Sequence, residues 1–210
     1  LCADDPADAD PSLIESFLHA AAAIDGPALA RVLDELFGRG SFETVVDTHL
    51  MPALEALGQA WAGGRVGVAG EHLAANAVMR RLAASYEAAA VARTEPRVLV
   101  GLAPGGRHEL GLLSFAVAAR RHGVNTDYLG ANLPIEDWDT ALDSPGVAGT
   151  VLAIATKDDA DPTRTVIRAG RARSPDLIVA VGGAEQDRAP DDAIRLGHRI
   201  GPAARRLALE

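Results

Sequence analysis

Apolar residues over the first ninety positions recur at helical spacing. Leu13, Ile14, Phe17 and Leu18 open one stripe at i, i+3, i+4 intervals, with Ser12 as the expected cap. Asp25-Gly26-Pro27 interrupts it, and Leu29, Val32, Leu33, Leu36 and Phe37 form a second stripe. Gly38-Arg39-Gly40 breaks that pattern, and Ser41 followed by Glu43-Thr44 predicts a third start. The third helix continues through Leu54, Leu57 and Trp61, bends at Pro52 and stops at Gly63-Gly64. A fourth, long helix is predicted from Val68 to Ala92. Four helices joined by short turns read as a bundle over residues 12–93.

Past Thr94-Glu95-Pro96 the pattern changes. Arg97 to Leu102 is a short apolar run of the kind found in buried parallel strands, and a glycine-rich turn and a helix from Leu110 to His122 follow it. Asn125–Leu129, Thr150–Ala155 and Leu177–Val181 are further strand candidates, with helices predicted at Pro134–Leu142 and Pro162–Ala172. Two more helical stretches are expected to close the chain. This alternation predicts an α/β fold, a doubly wound parallel sheet over residues 97–208, with ligands at the C-terminal ends of its strands.

Bulk properties narrow the function. Of 210 residues, 48% are hydrophobic but only 4% aromatic, so alanine-rich helices supply much of the core. A net charge of −9 argues against direct nucleic-acid binding, because an acidic chain gains no counterion release on DNA. The single cysteine, Cys2, permits no intramolecular disulfide and suits a cytoplasmic setting. No apolar run approaches the roughly 20 residues that span a bilayer. Leu1 to Pro11 is acidic and unlike a signal peptide.

Two constellations carry candidate chemistry. The first is Pro104-Gly105-Gly106-Arg107-His108-Glu109-Leu110-Gly111, between the first strand and its helix. Glycines let the backbone approach a bulky partner, and His108 at a strand end suits a metal already held by a macrocycle, as no second His or Cys stands at zinc-like spacing. A surface or helix-capping histidine is the alternative. There is no GxGxxG and no GxxxxGK[ST], which disfavours a phosphate loop. The second runs from Trp61 through Gly63-Gly64 to Gly70-Glu71-His72-Leu73. It reads either as a ring, an acid and an imidazole covering a ligand face, or as a core tryptophan beside a solvated helix start. No residues are spaced as a nucleophile, base and orienter, so an enzyme is not expected.

Together, Trp61, nine residues and Glu71-His72 resemble the helical-cap signature of the MerR-type cobalamin photoreceptors, the CarH/LitR group. Gly-Gly-Arg-His108-Glu-Leu-Gly111 resembles the ExHxxG loop of cobalamin-binding Rossmann domains, and Val181-Gly182-Gly183-Ala184 stands where that family has a later glycine motif. The resemblance implies a helical-bundle cap over a Rossmann-like domain, with cobalamin held base-off between them. His108 would be the lower axial ligand. Gly105, Arg107 and Gly111 would form the loop around it, and the dimethylbenzimidazole tail would run beside Gly182 and Gly183. Trp61, Glu71 and His72 would face the upper ligand, typically 5′-deoxyadenosyl.

Three positions depart from the family pattern. Gly106 stands where an acid usually supports the axial imidazole. Ala153 and Ala155 fall where the SxL motif offers a hydroxyl. Ala62 replaces the histidine that binds cobalt after illumination. The resemblance implies an adenosylcobalamin light sensor with a protein output partner and a homo-oligomeric state. No MerR-like helix-turn-helix precedes the bundle in this sequence, so the chain is expected either to be a fragment of a longer regulator or to stand alone. Stand-alone relatives include the photocobilins, which also hold biliverdin. A corrinoid methyl carrier that works with a methyltransferase shares the layout and is the alternative.

Overall fold

A computed structural model describes residues 9–89 and 96–209. Two compact units divide the chain, Leu1–Ala84 and Ser85–Glu210.

The helical unit begins with α1, Pro11–Ala22, and α2, Gly26–Phe37. Both start alike, with an aspartate N-cap followed by proline in the first turn. The Asp10 and Asp25 carboxylates accept from the backbone N–H groups of Ser12 and Ala28. The cap of α1 is therefore Asp10 and not Ser12, whose own N–H is one of the groups being satisfied. Arg39 reaches the other oxygen of Asp10 at 2.7 Å, and these bonds hold the Asp10 carboxyl down to about 2.

Ser41 caps the next helix as expected, accepting from Thr44. That helix is continuous but not uniform: α3, Phe42–Val45, passes into a π-helical stretch, Val46–Leu50, and then into α4, Met51–Ala62. Pro52 has no N–H to donate and its ring crowds the carbonyl one turn back. The Met51 N–H bonds back to Val46 O, the wider π spacing. The predicted bend is thus a π insertion immediately ahead of the proline.

The last helix, α5, covers Val68–Ala88, and the remainder of its predicted span lies largely outside the described residues. Leu13, Phe17, Leu29, Leu33, Leu36, Leu50, Leu57, Val78 and Leu82 form the buried interior of the helical unit. Among the described residues no helix is long and apolar enough to cross a membrane.

The second unit is a five-stranded, all-parallel sheet in the order β2-β1-β3-β4-β5. The strands are β1 Arg97–Gly101, β2 Thr126–Gly130, β3 Val147–Ala153, β4 Ile178–Gly182 and β5 Ile194–Arg195. Helices α6 Glu109–Arg121, α7 Ile135–Leu142, α8 Ala160–Arg173 and α9 Ile200–Leu207 connect or follow them. Two helical stretches close the chain, a short 3-10 turn at Gln186–Arg188 and α9. Between them Ile194-Arg195 pairs with β4 as a short edge strand, because the unsatisfied edge of β4 offers it backbone bonds.

One face of the sheet carries Leu99, Leu152, Ile154, Val179 and Val181, packed on Trp138 of α7 and Val166 and Ile167 of α8. Helix α6 packs against α9 and against β1 and β2, and is buried almost all round from Leu112 to Ala119. The order reverses between β1 and β3. In this topology that reversal opens a crevice at the carboxyl ends of the two strands.

Candidate functional site

The carboxyl end of β1 is fixed before the glycine-rich loop begins. Leu102 donates to Gly130 O, and its own carbonyl accepts from the Leu133 N–H and the buried Trp138 indole. Gly105 turns the chain with φ +83°, and its N–H donates to Asn132 Oδ1 at 2.7 Å. The loop after β1 is thereby tied to the loop after β2. His108 follows as the N-cap of α6.

The imidazole of His108 makes no capping bond and is exposed, with no hydrogen-bond or ionic partner among the described residues. The helix-capping alternative therefore falls. Arg107 beside it is exposed, and Gly111 lies one turn into α6. Across the switch point, Ala153 ends β3 opposite Gly182 of β4, and Ala155 lies just beyond the strand. Gly183, at φ +99°, is so close to β3 that a Cβ on it would come within 2.4 Å of Ile154 O. Small residues thus line the carboxyl edge at β3 and β4, while a free imidazole stands at β1.

Gly106 has a steric explanation. A Cβ there would lie 3.0 Å from Leu102 Cβ and 3.1 Å from Ala103 O, so a larger residue at this position requires those neighbours to give by a few tenths of an ångström. The neighbouring acid, Glu109, points elsewhere and accepts from the Tyr128 hydroxyl at 3.2 Å. Burial, aided by Glu109, pushes the Tyr128 phenol above its ordinary range, so it stays a donor.

In the helical unit Trp61 lies at the end of α4 and is 51% exposed, so it is not the core anchor that the alternative reading requires. A tight turn follows, in which Arg65 and Val66 both donate to Ala60 O and Val66 is buried. Glu71 and His72 sit in the first turns of α5, Glu71 Oε2 and His72 Nδ1 being 2.6 Å apart. That contact orients the ring and leaves Nε2 for another partner. Ala62, the last residue of α4, carries no donor.

Two apolar residues of the helical unit stand exposed, Val68 within the Trp61–Leu73 run and Ile24, which sequence reasoning missed. Val68, at the start of α5, and Ile24, between α1 and α2, are 56% and 58% exposed although β-branched and apolar. Ile24 also has φ +54°, uncommon for such a side chain. In the sequence it was hidden inside an Ile-Asp-Gly-Pro turn signal. A cleft of about 240 Å³ between α2 and α5, edged by Arg80 and Arg81, includes neither Trp61 nor Glu71 nor His72.

Among the described residues no three or more His, Cys, Asp or Glu side chains gather to hold a metal. A lone imidazole can contribute one bond to a metal whose other ligands come from a macrocycle. The residues present fit a corrinoid: His108 has a nitrogen to give, and Gly105 and Gly182 would meet little or nothing on the side where a Cβ would project.

A family model described as B12 binding domain matches residues 13–85, in the helical part of the chain. Two particular proteins of Myxococcus xanthus are related to the chain in sequence. The HTH-type transcriptional repressor CarH is 35% identical over 173 residues, 81% of this chain and 57% of CarH. The HTH-type transcriptional repressor CarA is 34% identical over 122 residues, 58% of this chain and 41% of CarA. The chain thus spans about half the length of these curated relatives. In fold it is similar to the Methanosarcina barkeri monomethylamine corrinoid protein, with a TM-score of 0.65 at 12% identity over 94% of this chain and 96% of that one.

Proposed function

We propose that the chain binds cobalamin base-off with His108 as the lower axial ligand, and that it serves as a light sensor and not as an enzyme. The observation that carries the reading is the unpartnered His108 imidazole in the loop that follows β1, in a sheet whose β3 and β4 end in the small residues Ala153, Ala155, Gly182 and Gly183. The B12 binding domain match and the sequence relation to CarH and CarA support it.

Adenosylcobalamin, when bound, supplies a cobalt–carbon bond that visible light breaks. The chain's residues do the rest. His108 holds the lower face, and Gly105, Arg107 and Gly111 shape the loop around it. The exposed Trp61 indole would face the upper ligand, as would His72, whose ring Glu71 holds at 2.6 Å. Loss of a bulky upper ligand would remove packing from Trp61, a change of the kind that biases a two-state element. Ala62 has no nitrogen to bind cobalt afterwards, which leaves His72 as the imidazole of this turn. Output would pass to a protein partner or to another copy of the chain, and biliverdin would be a second chromophore of a photocobilin-like member.

The test is an absorption spectrum of the purified chain with adenosylcobalamin in the dark and after green light, alongside His108→Ala. A histidine-coordinated dark spectrum that light and the substitution both change supports the reading. A red-absorbing band with biliverdin would add the second chromophore. Tight binding without a light response would favour the corrinoid methyl carrier, whose layout the fold shares. No binding would overturn both readings.

A further inference from the structure

Gly106 leaves His108 without an acid two residues before it, and the space at that position is tight against Leu102 and Ala103. The nearest carboxylate in sequence is Glu109, in the first turn of α6. Its Oε2 accepts from Tyr128 on β2 at 3.2 Å, a long hydroxyl bond, and the same hydroxyl lies 3.5 Å from Glu109 O.

Tyr128 is itself held in place. Its backbone N–H donates to the Tyr86 hydroxyl at 3.0 Å, and that hydroxyl donates to Thr126 O at 2.7 Å. Arg120 lies 3.5 Å over the Tyr86 ring and donates to the carbonyls of Tyr86 and Thr126. Arg120 is in the last turn of α6 and Glu109 is in its first. Both ends of one helix are therefore bonded to the same strand, β2, and His108 is the residue on which that helix begins.

We propose that Tyr128 and Glu109 are positioning residues for His108. By clamping the first turn of α6 to β2 they set where the imidazole at its N-cap stands. The inference rests on the axial-ligand reading above. Neither residue is placed on the corrinoid; each acts through the backbone of α6. Arg120 and Tyr86 fix the other end of the helix, so removing the Tyr128–Glu109 bond frees the first turn without unfolding the rest.

Two readouts on the full chain separate this from a merely structural role. Amide hydrogen exchange of the cofactor-free protein reads the first turn directly. Tyr128→Phe and Glu109→Ala are expected to speed exchange at residues 112–115, whose N–H groups bond the carbonyls of the N-cap and first turn, roughly five- to tenfold, with exchange in β1 and β3 unchanged. Electron paramagnetic resonance of added cob(II)alamin reads the axial nitrogen by its splitting of the cobalt signal. Both variants are expected to lower the nitrogen-coordinated share several-fold. Glu109→Gln, which keeps an acceptor oxygen for Tyr128, is expected to restore it.

Wild-type exchange and a wild-type nitrogen-coordinated share in both Tyr128→Phe and Glu109→Ala would overturn the proposal. If Tyr128→Phe fails to fold, the half-exposed Glu109 carries the test alone, through its alanine and glutamine variants. A nitrogen signal that His108→Ala leaves intact would instead overturn the axial-ligand reading. In that case the exchange data still decide whether the pair fixes the turn.

Discussion

Gly70 of α5 meets the carbonyl of Ala21 in the last turn of α1 so closely that a Cβ on residue 70 would come 2.2 Å from Ala21 O and 3.2 Å from a methyl of Val66. A glycine is required because the obstacle is backbone on one side and a buried side chain on the other. The next two residues are Glu71 and His72, so this contact sets where their helix starts.

Gly70→Ala is therefore expected to destabilise the helical unit by about 1–3 kcal/mol. Urea unfolding followed by circular dichroism measures the loss. Because the start of α5 must shift, the same substitution is expected to weaken whatever Trp61, Glu71 and His72 hold more than a surface change such as Glu87→Ala. Wild-type stability would mean that α1 and α5 slide apart at no cost.

Gly183 makes the equivalent approach in the sheet unit. It combines φ +99° with a virtual Cβ 2.4 Å from Ile154 O, so alanine there is opposed by both backbone conformation and space. Gly183→Ala should cost about 2 kcal/mol or more and should weaken corrinoid binding, because β3 and β4 separate at the edge that Ala153 and Gly182 share. Gly182→Ala is the control. Its Cβ would meet only Gly197 O, at 3.7 Å, an ordinary contact, so its effect on stability is expected to be small.

Which parts of this were legible in the sequence follows from the range of the interactions. Local rules found the helical stripes, the Ser41 cap, the apolar strands and the loop that carries His108, because each depends on residues a few positions apart. Ile194-Arg195 was missed because nothing in those two residues marks a strand; the bonds of β4 recruit them. The π stretch before Pro52 was half visible, as a bend without its mechanism. Gly106 read as a defect until Leu102 and Ala103 showed what fills the space beside it. The Tyr86, Arg120, Thr126, Tyr128 and Glu109 cluster spans more than forty positions and has no sequence period to reveal it.

Tyr86 is the centre of that cluster. Its hydroxyl serves Thr126 O and the Tyr128 N–H at once, and a phenylalanine takes this partner from the Tyr128 N–H and leaves Thr126 O with the Arg120 bond. Tyr86→Phe is expected to cost about 1–3 kcal/mol, read from the urea midpoint, while leaving the Arg120 contact with the ring in place. Amide exchange at Tyr128 should rise with it. An unchanged midpoint would show that water replaces the phenol without loss.

His49 gives the helical unit a pH dependence whose sign follows from its surroundings. It lies in the π stretch, 9% exposed, and its Nδ1 has no hydrogen-bond partner among the described residues. Burial, reinforced by the Arg39 charge and opposed by that of Asp10, pushes its pKa below the ordinary 6.5. The folded chain thus favours neutral His49, and the unfolded chain takes up the proton first as pH falls. This contribution to stability is complete above about pH 7 and is lost as pH drops through 6.5 towards the lower folded value. Asp10 does not confuse the window, since its carboxyl, held at about 2, keeps its charge and its bond to Arg39 throughout. Urea midpoints measured from about pH 7.5 to 5 should fall more steeply for the wild-type chain than for His49→Met, which fills similar space without a titrating nitrogen. Parallel curves would mean that the proton on His49 finds a partner in the folded protein.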